Sequence, residues 1–122
     1  MSQFRVALLQ HQIEWCDVAA NLQALEQQLT ALLDQSLQLV LLAETFATGF
    51  AFAEPGVAEP VGGEVFCWLQ QQAKRLNTTI AATVAVEQNH KAVNRLYCCI
   101  PMVVMTIMTK SIYSAPAMNN ST

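Results

Sequence analysis

The stretch that decides the fold is Leu39-Val40-Leu41-Leu42-Ala43-Glu44-Thr45-Phe46-Ala47-Thr48-Gly49-Phe50. Leu39 to Leu42 form a short unbroken apolar run. Such a run reads as a sheet strand covered on both faces. A carboxylate follows directly, so Glu44 should lie at the carboxyl end of a sheet, where open α/β sheets place their ligands. A strand-end acid can also simply cap a helix or bind loop amides. The flanking sequence has to separate these two roles.

Outward from this strand, apolar and polar segments alternate in a regular way. Phe4 to Gln10 is a first apolar run of strand length. Asp17 is placed as an N-cap. Val18, Leu22, Leu25, Leu29, Leu32 and Leu33 then recur at spacings of three and four, which predicts an amphipathic helix over about residues 18–35. Residues 45–61 carry Gly49, Pro55, Gly56 and Pro60 and read as a long loop. Loops of that length in a compact domain are often functional. Glu64 to Leu76 predicts a second helix, with Val65, Trp68, Leu69 and Ala73 inward. Thr79 to Val86 predicts a third strand, residues 87–91 a polar hairpin turn, and Ala92 to Tyr97 a fourth strand. The order is β-α-β-loop-α-β-β, an α/β layer that should leave one sheet face partly uncovered.

Composition narrows the function. The chain has 122 residues, is 53% hydrophobic and carries a net charge of -3. That gives one small domain with a real core and no basic footprint for nucleic acid or anionic lipid. The N-terminus has no charged n-region, apolar h-region or cleavage site, so a cytoplasmic protein is expected. The four cysteines lack metal spacing and read as reduced thiols. Asn77-Thr78-Thr79 and Asn120-Ser121-Thr122 match the glycosylation pattern, which a cytoplasmic chain would not use. His11 and His90 have no paired metal spacing. His90 reads as a solvated turn residue, and His11 as a loop residue following the first strand. Cys16 and Cys67 read as buried or incidental thiols.

Several of these residues together resemble the carbon–nitrogen hydrolase (nitrilase) superfamily, with the omega-amidase branch as the nearest flavour. They are Val6-Ala7-Leu8-Leu9-Gln10, Trp15-Cys16-Asp17 followed by Asn21-Leu22, Leu-Leu-Ala-Glu44-Thr-Phe-x-Thr-Gly-Phe, and Val93-Asn94-Arg95. The Glu44 segment is the specific part. The resemblance covers residues 1–97 and implies the N-terminal half of a nitrilase-like α-β-β-α sandwich. It further implies hydrolysis of a small linear amide through a thioester by a Glu, Lys and Cys triad, with no metal or organic cofactor. Glu44 would be the general base, taking the thiol proton and then activating water. The lysine would stabilise the oxyanion. One departure is Ala43, where the family usually has proline.

The resemblance stops after Tyr97. Residues 98–122 contain no acid, a single base (Lys110) and four of the five methionines. Their periodicity suits neither helix nor strand, so a short strand extension to about Ile100 and then drift is expected. They are too short and interrupted to span a membrane. The family would here carry a segment like Tyr-Asp-Lys-x-His-Leu. Loss of one base near Tyr97 or Cys98 accounts for this. Each original codon would then combine the last base of one present codon with the first two of the next. Methionine has a single codon, so Met105-Thr106 and Met108-Thr109 each force Asp, and Met118-Asn119 forces Glu. With permitted codons, Val104 to Thr122 back-reads to include Tyr-Asp-Lys-Lys-His-Leu. Residues 98–122 are therefore expected to be a frameshifted tail. The family lysine would straddle Thr109 and Lys110, which makes Lys110 a lysine by codon coincidence. The nucleophilic cysteine would lie beyond residue 122. Cys98 and Cys99 are a tempting vicinal pair, read here as out-of-frame residues.

The expectation is a truncated carbon–nitrogen hydrolase with its base and without its nucleophile, inactive as it stands. The alternative is a non-enzymatic fragment that associates with an intact homologue, or forms a homo-oligomer, through its uncovered sheet. An apolar tail and an unpaired edge also favour aggregation. A nucleotide-binding half-domain fails, because His11-Gln12-Ile13 stands where a glycine-rich turn would follow the first strand.

Overall fold

The structure, a computed structural model, describes residues 3–111. The elements run β1 (Val6–Leu9), α1 (Val18–Thr30), β2 (Leu39–Leu42), β3 (Glu59–Pro60), α2 (Glu64–Leu76), β4 (Thr79–Gln88), β5 (Lys91–Ile100) and β6 (Val103–Ser111). They build one mixed sheet in the order β1-β2-β4-β5-β6, with β3 beside β4. The β1, β2 and β4 strands are parallel, joined by the helical crossovers that parallel neighbours require. The β4–β5 and β5–β6 pairs are antiparallel. No helix among the described residues is long and apolar enough to cross a membrane.

Both helices pack on one face of the sheet. Leu25 and Leu29 of α1 and Leu69 of α2 are fully buried there with Val40, Ile80 and Phe46. The Phe46 and Trp68 rings meet at 5.7 Å, and Phe66 and Tyr97 meet edge-on at 5.0 Å. The opposite face is open among the described residues. Val6 is 43% exposed and Leu8 70%. The apolar run of β2 is thus covered on one face, not both. Val40 is buried, while Leu39 and Leu41 on the open side are only half-buried. A run of apolar residues records that both faces are built for burial; it does not supply the layer that covers the second.

Asp17 caps α1 as expected, its carboxylate accepting from the Ala20 N–H at 3.1 Å. The helix ends at Thr30 rather than near residue 35. Leu32 and Leu33 keep the helical spacing, but their amides bond Leu29 and Thr30 in tighter turns, and the chain reverses at Ser36 with φ 54°. Helix α2 falls where its pattern placed it and closes on Asn77 in the left-handed conformation. The polar turn shrinks to two residues, Asn89 and His90, with φ 53° and 64°. These angles suit a tight hairpin whose twist matches its strands, so β4 and β5 both run longer than the alternation suggested.

The drift expected beyond Ile100 is not what the structure has. Pro101 and Met102 turn the chain, and β6 pairs with β5 from Ile100↔Val103 to Val93↔Ser111, with one irregularity at Leu96/Tyr97. A ladder is made by backbone groups and needs no apolar alternation. Val103, Val104, Thr106, Ile107 and Thr109 are β-branched and suit it. Ile107 and Met108 remain more than half exposed. Residues 112–122 of the tail lie outside the described residues.

Candidate active site

Glu44 leaves the carboxyl end of β2 and is exposed. The backbone behind it is tightly fixed. Thr45 is buried, with φ 46°, an uncommon conformation for a β-branched residue and one that concentrates at functional turns. Its N–H donates to Thr83 Oγ1 of β4 at 2.8 Å, and its hydroxyl donates to the Glu44 carbonyl at 2.8 Å. The Thr48 and Gly49 amides close back on the Thr45 carbonyl at 3.1 and 2.8 Å. Gly49 has φ 77°, and a Cβ there would stand 3.3 Å from the Trp15 ring. Backbone angle and ring together explain glycine at this position.

The next support comes from α1. Asn21 is buried, and all of its hydrogen-bonding groups are engaged. Its amide donates to the Glu14 and Ala47 carbonyls at 2.8 Å each, and its Oδ1 accepts from the Glu14 N–H at 2.8 Å. One side chain therefore ties the loop after β1 to the turn that carries Glu44.

The carboxylate itself meets β5. Asn94 Nδ2 donates to Glu44 Oε2 at 2.9 Å. The other candidates fall elsewhere. Cys99 is buried towards the helices, and burial pushes its thiol up to about 12. Cys98 shares the Asn94 face but lies four residues along an extended strand, roughly 13 Å away. Cys67 is exposed on α2, not buried, and Cys16 is half-buried before α1, its N–H on the Thr48 carbonyl at 3.0 Å. His90 is exposed in its turn. Both ring nitrogens of His11 are enclosed without a hydrogen-bond partner among the described residues. Lys110 is the Cα partner of Asn94 across the β5–β6 pair, so their side chains leave the same face.

A cavity of about 280 Å³ lies behind the Glu44 turn, lined in part by Thr45, Thr48, Glu59, Glu64 and Thr83. Glu59 was not singled out from the sequence. Its two carboxylate oxygens accept the Val65 and Phe66 N–H groups at 2.7 and 3.0 Å, capping α2 from β3. Desolvation by burial raises its carboxyl above the usual value, against the lowering effect of the two N–H donors. The signal was an acid four residues before Gly63 at a helix start, where Gly63 itself offers no capping side chain.

These features define a mixed α/β sheet with helices on one face and a carboxylate presented where its parallel strands end. The carbon-nitrogen hydrolase family model matches residues 5–109, and the chain belongs to that family. The omega-amidase YafV of Yersinia enterocolitica is 35% identical over 97 residues, covering 78% of this chain and 36% of that protein. The chain thus spans about a third of the length of the curated relatives it matches. XC1258 from Xanthomonas campestris, a CN-hydrolase superfamily protein whose crystal structure has an arsenic adduct in the active site, is 31% identical. It superposes with a TM-score of 0.79 over 87% of this chain and 40% of its own. A nitrilase-superfamily amidase from Nesterenkonia AN1 shares the fold, with a TM-score of 0.73, 17% identity and coverage of 93% and 46%.

Proposed function

We propose that residues 1–97 are the glutamate-bearing part of an amidase of omega-amidase type, and that Glu44 is its general base. The supporting observation is the placement of Glu44. It is exposed at the end of β2, its backbone is held by Thr45 and Thr83, and its Oε2 is held by Asn94. A base works when its carboxylate is fixed yet open to the reacting group. In the reaction, Glu44 takes the proton of a cysteine thiol as sulfur attacks the amide carbon. A lysine ammonium steadies the oxyanion. The C–N bond breaks, the proton passes to the departing ammonia, and a thioester remains. Glu44 then deprotonates the water that cleaves the thioester. The substrate of the whole protein is a small linear amide, such as the terminal amide of an α-keto acid.

The chain as it stands has the base but no thiol beside it. Cys98 lies four residues along β5 from Asn94, Cys99 is buried towards the helices, and none of the four cysteines shares a hydrogen bond with Glu44 among the described residues. We therefore propose that it hydrolyses no amide, and that residues 98–122 are read in a shifted frame. Purified chain incubated with small amides should release no ammonia; robust, stoichiometric turnover would mean that one of these thiols serves. The DNA around codons 95–100 tests the frame, and an intact family frame with no base change there removes that part of the reading.

A second reading, a non-enzymatic fragment that pairs with an intact homologue or with itself, is favoured by the open apolar face bearing Val6 and Leu8. Sedimentation of the chain alone and with YafV of Yersinia enterocolitica separates the two cases. A single monomeric species in both would exclude it.

A further inference from the structure

Asn94 uses only part of its hydrogen-bonding capacity. Its Nδ2 donates to Glu44, whereas its Oδ1 is enclosed and has no partner among the described residues. An ionised carboxylate accepts only, so the amide nitrogen must face Glu44, and the assignment of oxygen to the other side follows. A buried amide oxygen left unsatisfied is costly, so a donor within reach is strongly favoured.

The sheet register points to a donor. On the Asn94 face, its direct cross-strand neighbours are Ala85 of β4 and Lys110 of β6, and the nearest residues of its own strand are Ala92 and Leu96. Of these four, Lys110 alone has a side-chain donor. Directly opposed residues have Cβ atoms about 5 Å apart, well within the reach of a lysine stem. Lys110 is exposed.

We propose that Lys110 donates its ammonium to Asn94 Oδ1, making Asn94 a positioning residue that ties the β6 cation to the Glu44 carboxylate across the open face. Asn94 then presents each of its two polar ends to the partner that suits it, nitrogen to the anion and oxygen to the cation. Glu44 Oε2 is locked by an amide that is itself locked, and the rest of the carboxylate stays open. The link rests on the hairpin register and stands whether or not Glu44 works as a base.

The test is the side-chain amide resonance of Asn94 in the folded chain, identified by its loss in Asn94→Leu. Glu44→Gln should shift it, because the acceptor changes. Lys110→Met should also shift it, Lys110→Arg should return it towards the wild-type position, and Lys91→Met should leave it in place. In parallel, Lys110 should acetylate several-fold more slowly than Lys91 by mass spectrometry, and Asn94→Leu should erase that difference. An Asn94 amide that moves in Glu44→Gln but not in Lys110→Met overturns the link while leaving the role of Glu44 untouched. Equal acetylation of Lys110 and Lys91 in the wild type overturns it too.

Discussion

Asn21 Nδ2 reaches the Ala47 carbonyl at 2.8 Å, joining helix α1 to the turn that presents Glu44. The bond is buried, and the same side chain satisfies the Glu14 N–H and carbonyl. Removing it strands the Ala47 carbonyl inside the fold and leaves the part-buried Glu14 groups without this partner. Asn21→Leu should destabilise the fold by about 2–4 kcal/mol, since unsatisfied buried groups cost about 1–3 kcal/mol each and are coupled here. Denaturant unfolding checks this. A loss below about 0.5 kcal/mol would mean that these bonds are replaced by solvent.

Gly63 is a glycine for want of space, not for its backbone angle. Its φ is −76°, open to any residue, but a Cβ would stand 2.7 Å from Glu59 Cδ and 2.9 Å from Glu59 Cβ. Gly63→Ala should push Glu59 off the α2 terminus and cost about 1–2 kcal/mol, the worth of a helix cap. Glu59→Ala should cost a similar amount, and the double variant little more than either single one. Additive losses would show that the two residues act separately.

Glu59 also sets a pH dependence with an unusual sign. Burial raises its carboxyl in the folded state above the ordinary glutamate value, so the folded chain binds this proton more tightly than the unfolded one. Its contribution to stability is fully present below the unfolded value and is lost as pH rises through the raised folded one. The slope of stability between pH 4.5 and the folded midpoint should be less negative in Glu59→Gln than in wild type. Urea midpoints across that range measure it. Identical slopes would contradict the account.

The thiols should separate by exposure and acidity. Cys67 is exposed, whereas Cys99 is buried with its thiol pushed up to about 12. At pH 8 a thiol reagent should label Cys67 rapidly and Cys99 only on unfolding, because the thiolate is the reactive form. Labelling followed by mass spectrometry reads this directly. Early modification of Cys99 would place it outside the core.

Much of this molecule was legible in the chain. Local signals carried α2, the Asp17 cap and the strand that delivers Glu44. The extent of α1 was not, because Leu32 and Leu33 keep helical spacing while their amides bond in tighter turns. Strand β6 was hidden because backbone pairing with β5 builds it, and no side-chain alternation announces that. Asn94 and Thr83 reach their partners over 50 and 38 residues respectively, contacts that sequence spacing alone could not show. Asn21 and Asn94 stood inside the family pattern, but their hydrogen bonds became visible only in the fold.

The central claim is that Glu44 is the base of an amidase half-site. A chimera of residues 1–97 with the remainder of YafV of Yersinia enterocolitica tests it most directly, read as ammonia release from a small linear amide. The account predicts measurable turnover, with kcat reduced about 10²–10⁴-fold by Glu44→Gln and KM little changed. A folded chimera that releases ammonia equally well with glutamine at position 44 would contradict it.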